Sequence, residues 1–218
     1  MDAKKLGSNM ASFWNSTGAR NAHLGLDGEA EMLLARARAM VSDRVKVKGK
    51  RVIDYGHGGG YLGLHLLADC DVAYYIGYDI AERSNKRATE LLAGFDNKEL
   101  ILLKEHRWSF AEKQPDVIVC LACIFHFPTR VYLDNFLKTC NESGAKDLVL
   151  EIRNRGNGTR FQPDPYSVAS PALQKRTCLT CETDPGYVGA RLPAYKLVDK
   201  TEPEEAPTRC QILWYKRR

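Results

Sequence analysis

Arg51-Val-Ile-Asp-Tyr-Gly-His-Gly-Gly-Gly-Tyr-Leu-Gly63 decides how this chain is read. Arg51 to Tyr55 is a short apolar run closing on a carboxylate, the pattern of a buried strand, and Leu62 to Ala68 resumes an apolar pattern suited to a helix. Between them, Gly56, Gly58, Gly59 and Gly60 lack the Cβ that would hold the backbone away from a ligand, and they permit positive φ at a tight bend. The helix that follows aims its free N–H groups and positive dipole end back at the bend. Strand, glycine turn and helix in this order make a nucleotide-type site. Gly58-x-Gly60-x-x-Gly63 satisfies the dinucleotide fingerprint, and Asp79 follows at about the distance expected of a ribose-binding acid.

The longer string Asp54-x-Gly56-x-Gly58-x-Gly60 resembles motif I of the class I S-adenosylmethionine-dependent methyltransferases. In that family the acid stands at the strand end and the glycines accommodate the methionine part of the cofactor. Electrostatics separates the two readings. A dinucleotide pyrophosphate at this turn would be repelled by Asp54, whereas the ammonium and sulfonium charges of S-adenosyl-L-methionine are attracted to it. The resemblance implies S-adenosyl-L-methionine as cofactor, with Tyr55, Ile80 and Leu121 beside the motif residues on it.

Taken in order, residues 1 to about 22 are polar, with Phe13 and Trp14 as a docking aromatic pair on a loose segment. Asp27 to Val45 predicts a helix, with Asp27 as cap and Met32, Leu33, Ala37, Met40 and Val41 along one side. In the resembled family such a helix covers the cofactor and contributes to the substrate pocket; an ordinary packing helix gives the same pattern. Val52 to Asp54, Ala73 to Asp79, Leu100 to Leu103, Asp116 to Pro128 (a strand with its exit) and Lys146 to Arg153 read as five strands, separated by helices at Tyr61 to Leu67, Glu82 to Ala93 and Val131 to Cys140. Ala194 to Asp199 and Cys210 to Lys216 read as a terminal antiparallel hairpin with a long tip. Asn154 to Pro193 is expected to be an irregular insertion with one short helix at Ser170 to Cys178, and loops of this kind carry acceptor selection on a shared scaffold.

The expected fold is α/β, a doubly wound, mostly parallel seven-stranded sheet of order 3-2-1-4-5-7-6 with an antiparallel C-terminal hairpin. This order of elements resembles the whole class I methyltransferase architecture over about residues 48 to 218, with residues 1 to 47 as an N-terminal cap. Asp79, at the end of the second strand, can accept both ribose hydroxyls, or it is a capping acid. Beyond the third strand, where family members place an acid on the adenine, the chain has Lys104-Glu105-His106-Arg107-Trp108. His106 and Arg107 then fall at the adenine position, and Trp108 either stacks on the base or belongs to the core. His126 follows the fourth strand just before Pro128, where small-molecule members carry a histidine. It is the candidate general base or acceptor-orienting group, its ordinary pKa of about 6.5 suiting proton transfer near neutrality, or else a core or capping histidine. Arg153, Arg155 and Arg160 are candidates for an anionic substrate group, or are solvated.

At 218 residues the chain has the length of one domain able to bury a sizeable core. Its formal charge of +5 permits contact with nucleic acid without demanding it, and Lys216-Arg217-Arg218 reads as a solvated tail. The Asn/Asp-Pro-Pro-Tyr string of methyltransferases acting on base amines is absent, which favours a small-molecule acceptor over nucleic acid. The apolar run near residues 117 to 127 is too short to span a bilayer, charges stand where a signal peptide needs an apolar core, and seven cysteines form no even disulfide framework, so a cytoplasmic, reduced protein is expected. Cys120/Cys123 and Cys178/Cys181 raise zinc, but residues three apart on a strand face opposite ways unless the strand has ended, and the second pair has only distant Cys210; no metal is expected. The expected activity is methyl transfer to oxygen or nitrogen of a small molecule. An RNA methyltransferase, a nicotinamide oxidoreductase and a non-catalytic cofactor-binding protein of the same fold are the alternatives. Nothing in the sequence sets the oligomeric state.

Overall fold

A computed structural model describes residues 11, 12, 14, 15, 35, 38–103, 109–154, 156, 158–163, 179–202 and 210–218. The strands are β1 (Arg51–Tyr55), β2 (Tyr74–Asp79), β3 (Lys98–Leu102), β4 (Val117–Cys120), β5 (Asp147–Arg153), β6 (Arg160–Pro163), β7 (Leu179–Glu182), β8 (Tyr195–Lys200) and β9 (Cys210–Arg217). The helices are α1 (Tyr61–Ala68), α2 (Glu82–Leu91), α3 (Arg130–Glu142) and α4 (Pro185–Ala190). Seven strands form one sheet in the order β3-β2-β1-β4-β5-β9-β8, and β6 pairs with β7 in a separate two-stranded sheet. The first five are parallel, while β9 runs antiparallel to both β5 and β8. This is the order expected from the sequence, with β9 and β8 as its seventh and sixth strands.

The central strands are mostly apolar because both faces are covered, with the charged Asp54, Glu151 and Arg153 lying toward their C-terminal ends. Val52, Val117, Val119 and Val149 pack with Met40, Val41, Leu62, Leu66 and Tyr75 on one face. Their chain neighbours Ile53, Ile118, Leu148 and Leu150 pack on the other, against Leu133, Phe136 and Leu137 of α3. Alternate residues of one strand thus feed two cores. α3 starts where Thr129, following Pro128, accepts a hydrogen bond from Tyr132 N, and α4 where Asp184 caps Tyr187 N ahead of Pro185.

Several expectations change. The segment 154–193 is not irregular throughout: Phe161 lies opposite Cys181 in the β6–β7 pairing, and α4 follows. The helix expected over Asp27–Val45 lies mostly outside the described residues, and its described part, Arg38–Ser42, is a π-helical turn. That turn is tied to the far end of α1 by Ser42 Oγ at 2.8 Å from His65 Nε2, with Asp69 on the other ring nitrogen at 2.8 Å. The basic C-terminus is solvated as expected but is not a tail, since the exposed Lys216 and Arg217 belong to β9 and Arg218 N donates to Ala194 O. Ser170 to Cys178 lies outside the described residues.

Gly63 shows how closely α1 and the sheet approach. A Cβ there would stand 2.6 Å from the ring of Tyr75, which is fully buried and donates its hydroxyl to Asp54 Oδ2. Gly63→Ala is expected to destabilise the protein by about 1–3 kcal/mol, because the ring cannot retreat without breaking that bond. Thermal unfolding should show a fall of roughly 2–4 °C per kcal/mol; an unchanged midpoint would show that the helix can lift off the ring.

Candidate active site

A cleft of about 180 Å³ opens above the C-terminal ends of β1, β2 and β4, the place where the strand order reverses in a doubly wound sheet. Its floor is the glycine turn. Gly56, Gly58 and Gly60 have φ of 83°, 55° and 87°, values that a side chain would strain. The turn is sewn to β2: Gly56 N donates to Tyr78 O at 2.7 Å, and Gly58 N to Asp79 Oδ2 at 2.9 Å. Gly60 caps α1 with no side-chain hydrogen bond, so the first amides of the helix are left for whatever enters the cleft.

Two carboxylates face this space. Asp79 is nearly buried, and its second oxygen accepts from Ala81 N at 2.8 Å, which holds the group at the end of β2 with lone pairs to spare. Asp54 is 3% exposed and bonded to the Tyr75 hydroxyl at 2.8 Å. Burial raises its pKa from 3.8 to about 6; His57 and the Tyr75 hydroxyl pull it down, and Asp79 pushes it up. A carboxylate held in this way gains from a cation placed beside it, and it repels phosphate.

The opposite wall is the exit from β4. Ala122 has a φ of 50° and gives its N–H to the fully buried Glu151 carboxylate at 2.7 Å, which fixes the turn of the chain. Cys123 follows, its sulfur lying where a Cβ on Gly56 would be only 2.5 Å away. Because β4 ends at Cys120, the two thiols come near enough to interact rather than pointing to opposite faces. Among the described residues no group of three His, Cys, Asp or Glu side chains is arranged to hold a metal. His126 ends the 3-10 turn Ile124–His126, with Trp14 edge-on to its ring at 4.7 Å between centroids and Phe125 at 4.7 Å on another side.

Of the residues expected from the sequence, Asp54, Tyr55, Gly56, Gly58, Asp79, Ile80, Leu121 and His126 line the cleft. Gly60 lies just behind as the cap of α1. His106, Arg107 and Trp108 fall outside the described residues. The aromatic docking expected of the N-terminal segment appears in Trp14, while Phe13 is outside the described residues. Sequence reasoning passed over His57, Ser84 and Tyr132 and weighed Cys123 only as a zinc ligand; all four also line the space. His57 stood inside the quoted string: its buried ring bridges Gly58 O and Asn85 Oδ1, both at 2.9 Å, and braces the turn against α2. Tyr132 had no sequence signal, since its hydroxyl reaches the Tyr55 hydroxyl at 2.7 Å only across the fold. Burial pushes both phenols up, so the pair is neutral.

A protein-family comparison carries the description further: a methyltransferase domain matches residues 26–171, two thirds of the chain and every cleft-lining residue but Trp14. The chain belongs to this family. No curated protein matches the sequence significantly. Among solved structures, magnesium protoporphyrin IX methyltransferase from Synechocystis PCC 6803 with bound SAM superposes with a TM-score of 0.69 at 16% identity, covering 100% of this chain and 98% of that one. An S-adenosylmethionine-dependent methyltransferase from Mesorhizobium loti gives 0.62 at 17% identity, covering 88% and 100%. The CcbJ methyltransferase from Streptomyces caelestis gives 0.59 at 15%, covering 100% and 99%. These likenesses show a shared class I fold. The methyltransferase uses S-adenosyl-L-methionine, and the cleft fits that cofactor: two carboxylates for a ligand of net positive charge, and a glycine floor closely backed by Cys123.

Proposed function

We propose that this methyltransferase transfers the methyl group to an oxygen or nitrogen of a small-molecule acceptor. The observation that carries the reading is the placement of His126 in the same cleft as Asp54 and Asp79, packed by Trp14 so that the acceptor side is a walled aromatic recess. Bound S-adenosyl-L-methionine would supply an already activated methyl group to the acceptor's lone pair, with the thioether as leaving group. The protein's part is then to align, to exclude water and to move one proton. Asp54 and the glycine turn hold the ammonium end, Asp79 holds the ribose hydroxyls, and Ile80 and Leu121 flank the purine and its ribose. His126 orients the acceptor and takes the proton it sheds.

Asp79→Ala tests the ribose assignment. Two hydrogen bonds to a charged group at about 1.5 kcal/mol or more each make the expected loss of S-adenosylhomocysteine affinity on the order of 100-fold. Calorimetric titration reads it, and unchanged affinity would remove Asp79 from the site. The acceptor class is tested by incubating the protein with methyl-labelled S-adenosylmethionine and a cell extract. Label in the dialysable fraction supports the proposal; label confined to RNA, with binding that falls steeply as salt rises, would overturn it.

A further inference from the structure

We propose that Arg153 is the anion anchor of the acceptor site, its guanidinium receiving a carboxylate or phosphate group of the small molecule that is methylated. This deepens the small-molecule reading and rests on it. Arg153 is the last residue of β5, and the sequence left it between substrate binding and solvation; solvation is ruled out, because the residue is only 5% exposed. Its Nε and Nη1 are buried and have no hydrogen-bond partner among the described residues. The guanidinium carbon lies 4.6 Å from the centroid of the Phe125 ring, and that ring lies 4.7 Å from His126, the group assigned to the acceptor.

The position is built rather than accidental. β5 is held in register against β9 down to the Arg153–Cys210 pair, and Thr183 N donates to Arg153 O at 3.0 Å. Glu151, two residues earlier on the same face of the strand, commits its Oε2 to Ala122 N at the turn that leads to Phe125 and His126. Among the described residues no carboxylate forms an ion pair with Arg153. Lysine or histidine in such a place could shed its charge, but a guanidinium cannot. A buried cation without a counter-charge costs several kcal/mol, and structural guanidinium groups are ordinarily hydrogen-bonded. An aromatic face on one side steadies the planar fork, and its N–H donors suit the two oxygens of a carboxylate or phosphate. With Asp54 and Asp79 drawing the cationic cofactor to one side, the buried arginine behind the Phe125 ring, one ring removed from His126, sorts acceptors by opposite charge.

The test uses the full chain saturated with S-adenosylhomocysteine, so that the cofactor's own carboxylate position is filled. Sodium phosphate and sodium benzoate are titrated in thermal unfolding against sodium chloride at matched ionic strength. The expected result is a midpoint rise with one of the two anions over chloride, and in Arg153→Met a half-saturating concentration at least about tenfold higher, the loss of one charge-assisted bond. Which anion acts decides between a carboxylate and a phosphate. Arg153→Met should also leave S-adenosylhomocysteine affinity intact. If that variant does not fold, Arg153→Lys keeps the charge without the fork and should weaken the anion effect. Equal anion shifts in wild type and variant, or no shift in wild type, overturn the proposal. Arg153-dependent anion binding together with label found only in RNA would instead leave the anchor standing and sink the small-molecule reading.

Discussion

His126→Gln is expected to lower turnover by about 10²–10⁴ while leaving S-adenosylhomocysteine affinity essentially unchanged, the signature of a proton-transfer group outside the cofactor's own contacts. The side chain ends a short 3-10 turn whose entry is fixed by the Ala122–Glu151 hydrogen bond, and rings at 4.7 Å on two sides hold the imidazole. A glutamine there retains polarity and much of the packing but cannot accept and release a proton. Single-turnover rates with methyl-labelled cofactor, paired with calorimetry of S-adenosylhomocysteine, separate the two effects. A variant that turns over normally takes His126 out of the chemistry; one that loses cofactor affinity makes it part of the cofactor cradle.

Asp54→Asn is expected to act in opposite directions on stability and binding. The folded protein holds Asp54 at about 6 against an ordinary value of 3.8, so its charged form is disfavoured on folding. A difference of about 2 pKa units corresponds to about 3 kcal/mol. Because the folded-state value is the higher one, the apo protein loses this stability as pH rises from about 4 to about 6, and the loss is complete above that. An asparagine can still accept from Tyr75 without carrying the charge, so the apo variant should unfold roughly 6–12 °C higher than wild type at pH 8. S-adenosylhomocysteine keeps the ammonium group, and losing its counter-charge should cost about 10- to 100-fold in affinity. In wild type that affinity should climb as pH rises toward about 6, since the cation selects the ionised carboxylate. Equal affinity in wild type and Asp54→Asn would contradict the assignment of the methionine end.

Much of this was legible because it is local. Val52 and Ile53 announce a two-faced strand, and Asp54 with the glycines announces the strand end and tight turn that floor the cleft. The parallel order followed from alternating strands and helices, and the two terminal apolar runs announced their hairpin. What escaped depends on residues distant in sequence. The pairing of β6 with β7 joins two four-residue strands, one of them ending in proline, which carry no period of their own. The buried Glu151 that receives Ala122 N–H looked like any acid inside a strand. The cysteines at 120 and 123 meet because β4 stops sooner than the apolar run does. Arg153 could be placed on a strand end, but only the fold shows that it is buried with no hydrogen-bonding partner for Nε and Nη1 among the described residues.

Thermal unfolding with S-adenosylhomocysteine, S-adenosylmethionine and NAD in parallel tests the central claim, that the acidic glycine cleft holds a cationic adenosyl ligand. At 100 times its dissociation constant a ligand stabilises by about 2.7 kcal/mol, or roughly 5–10 °C for a chain of this size. The account predicts that shift with both adenosyl ligands, its loss in Asp79→Ala at the same ligand concentrations, and none with NAD. A shift with NAD alone would contradict it.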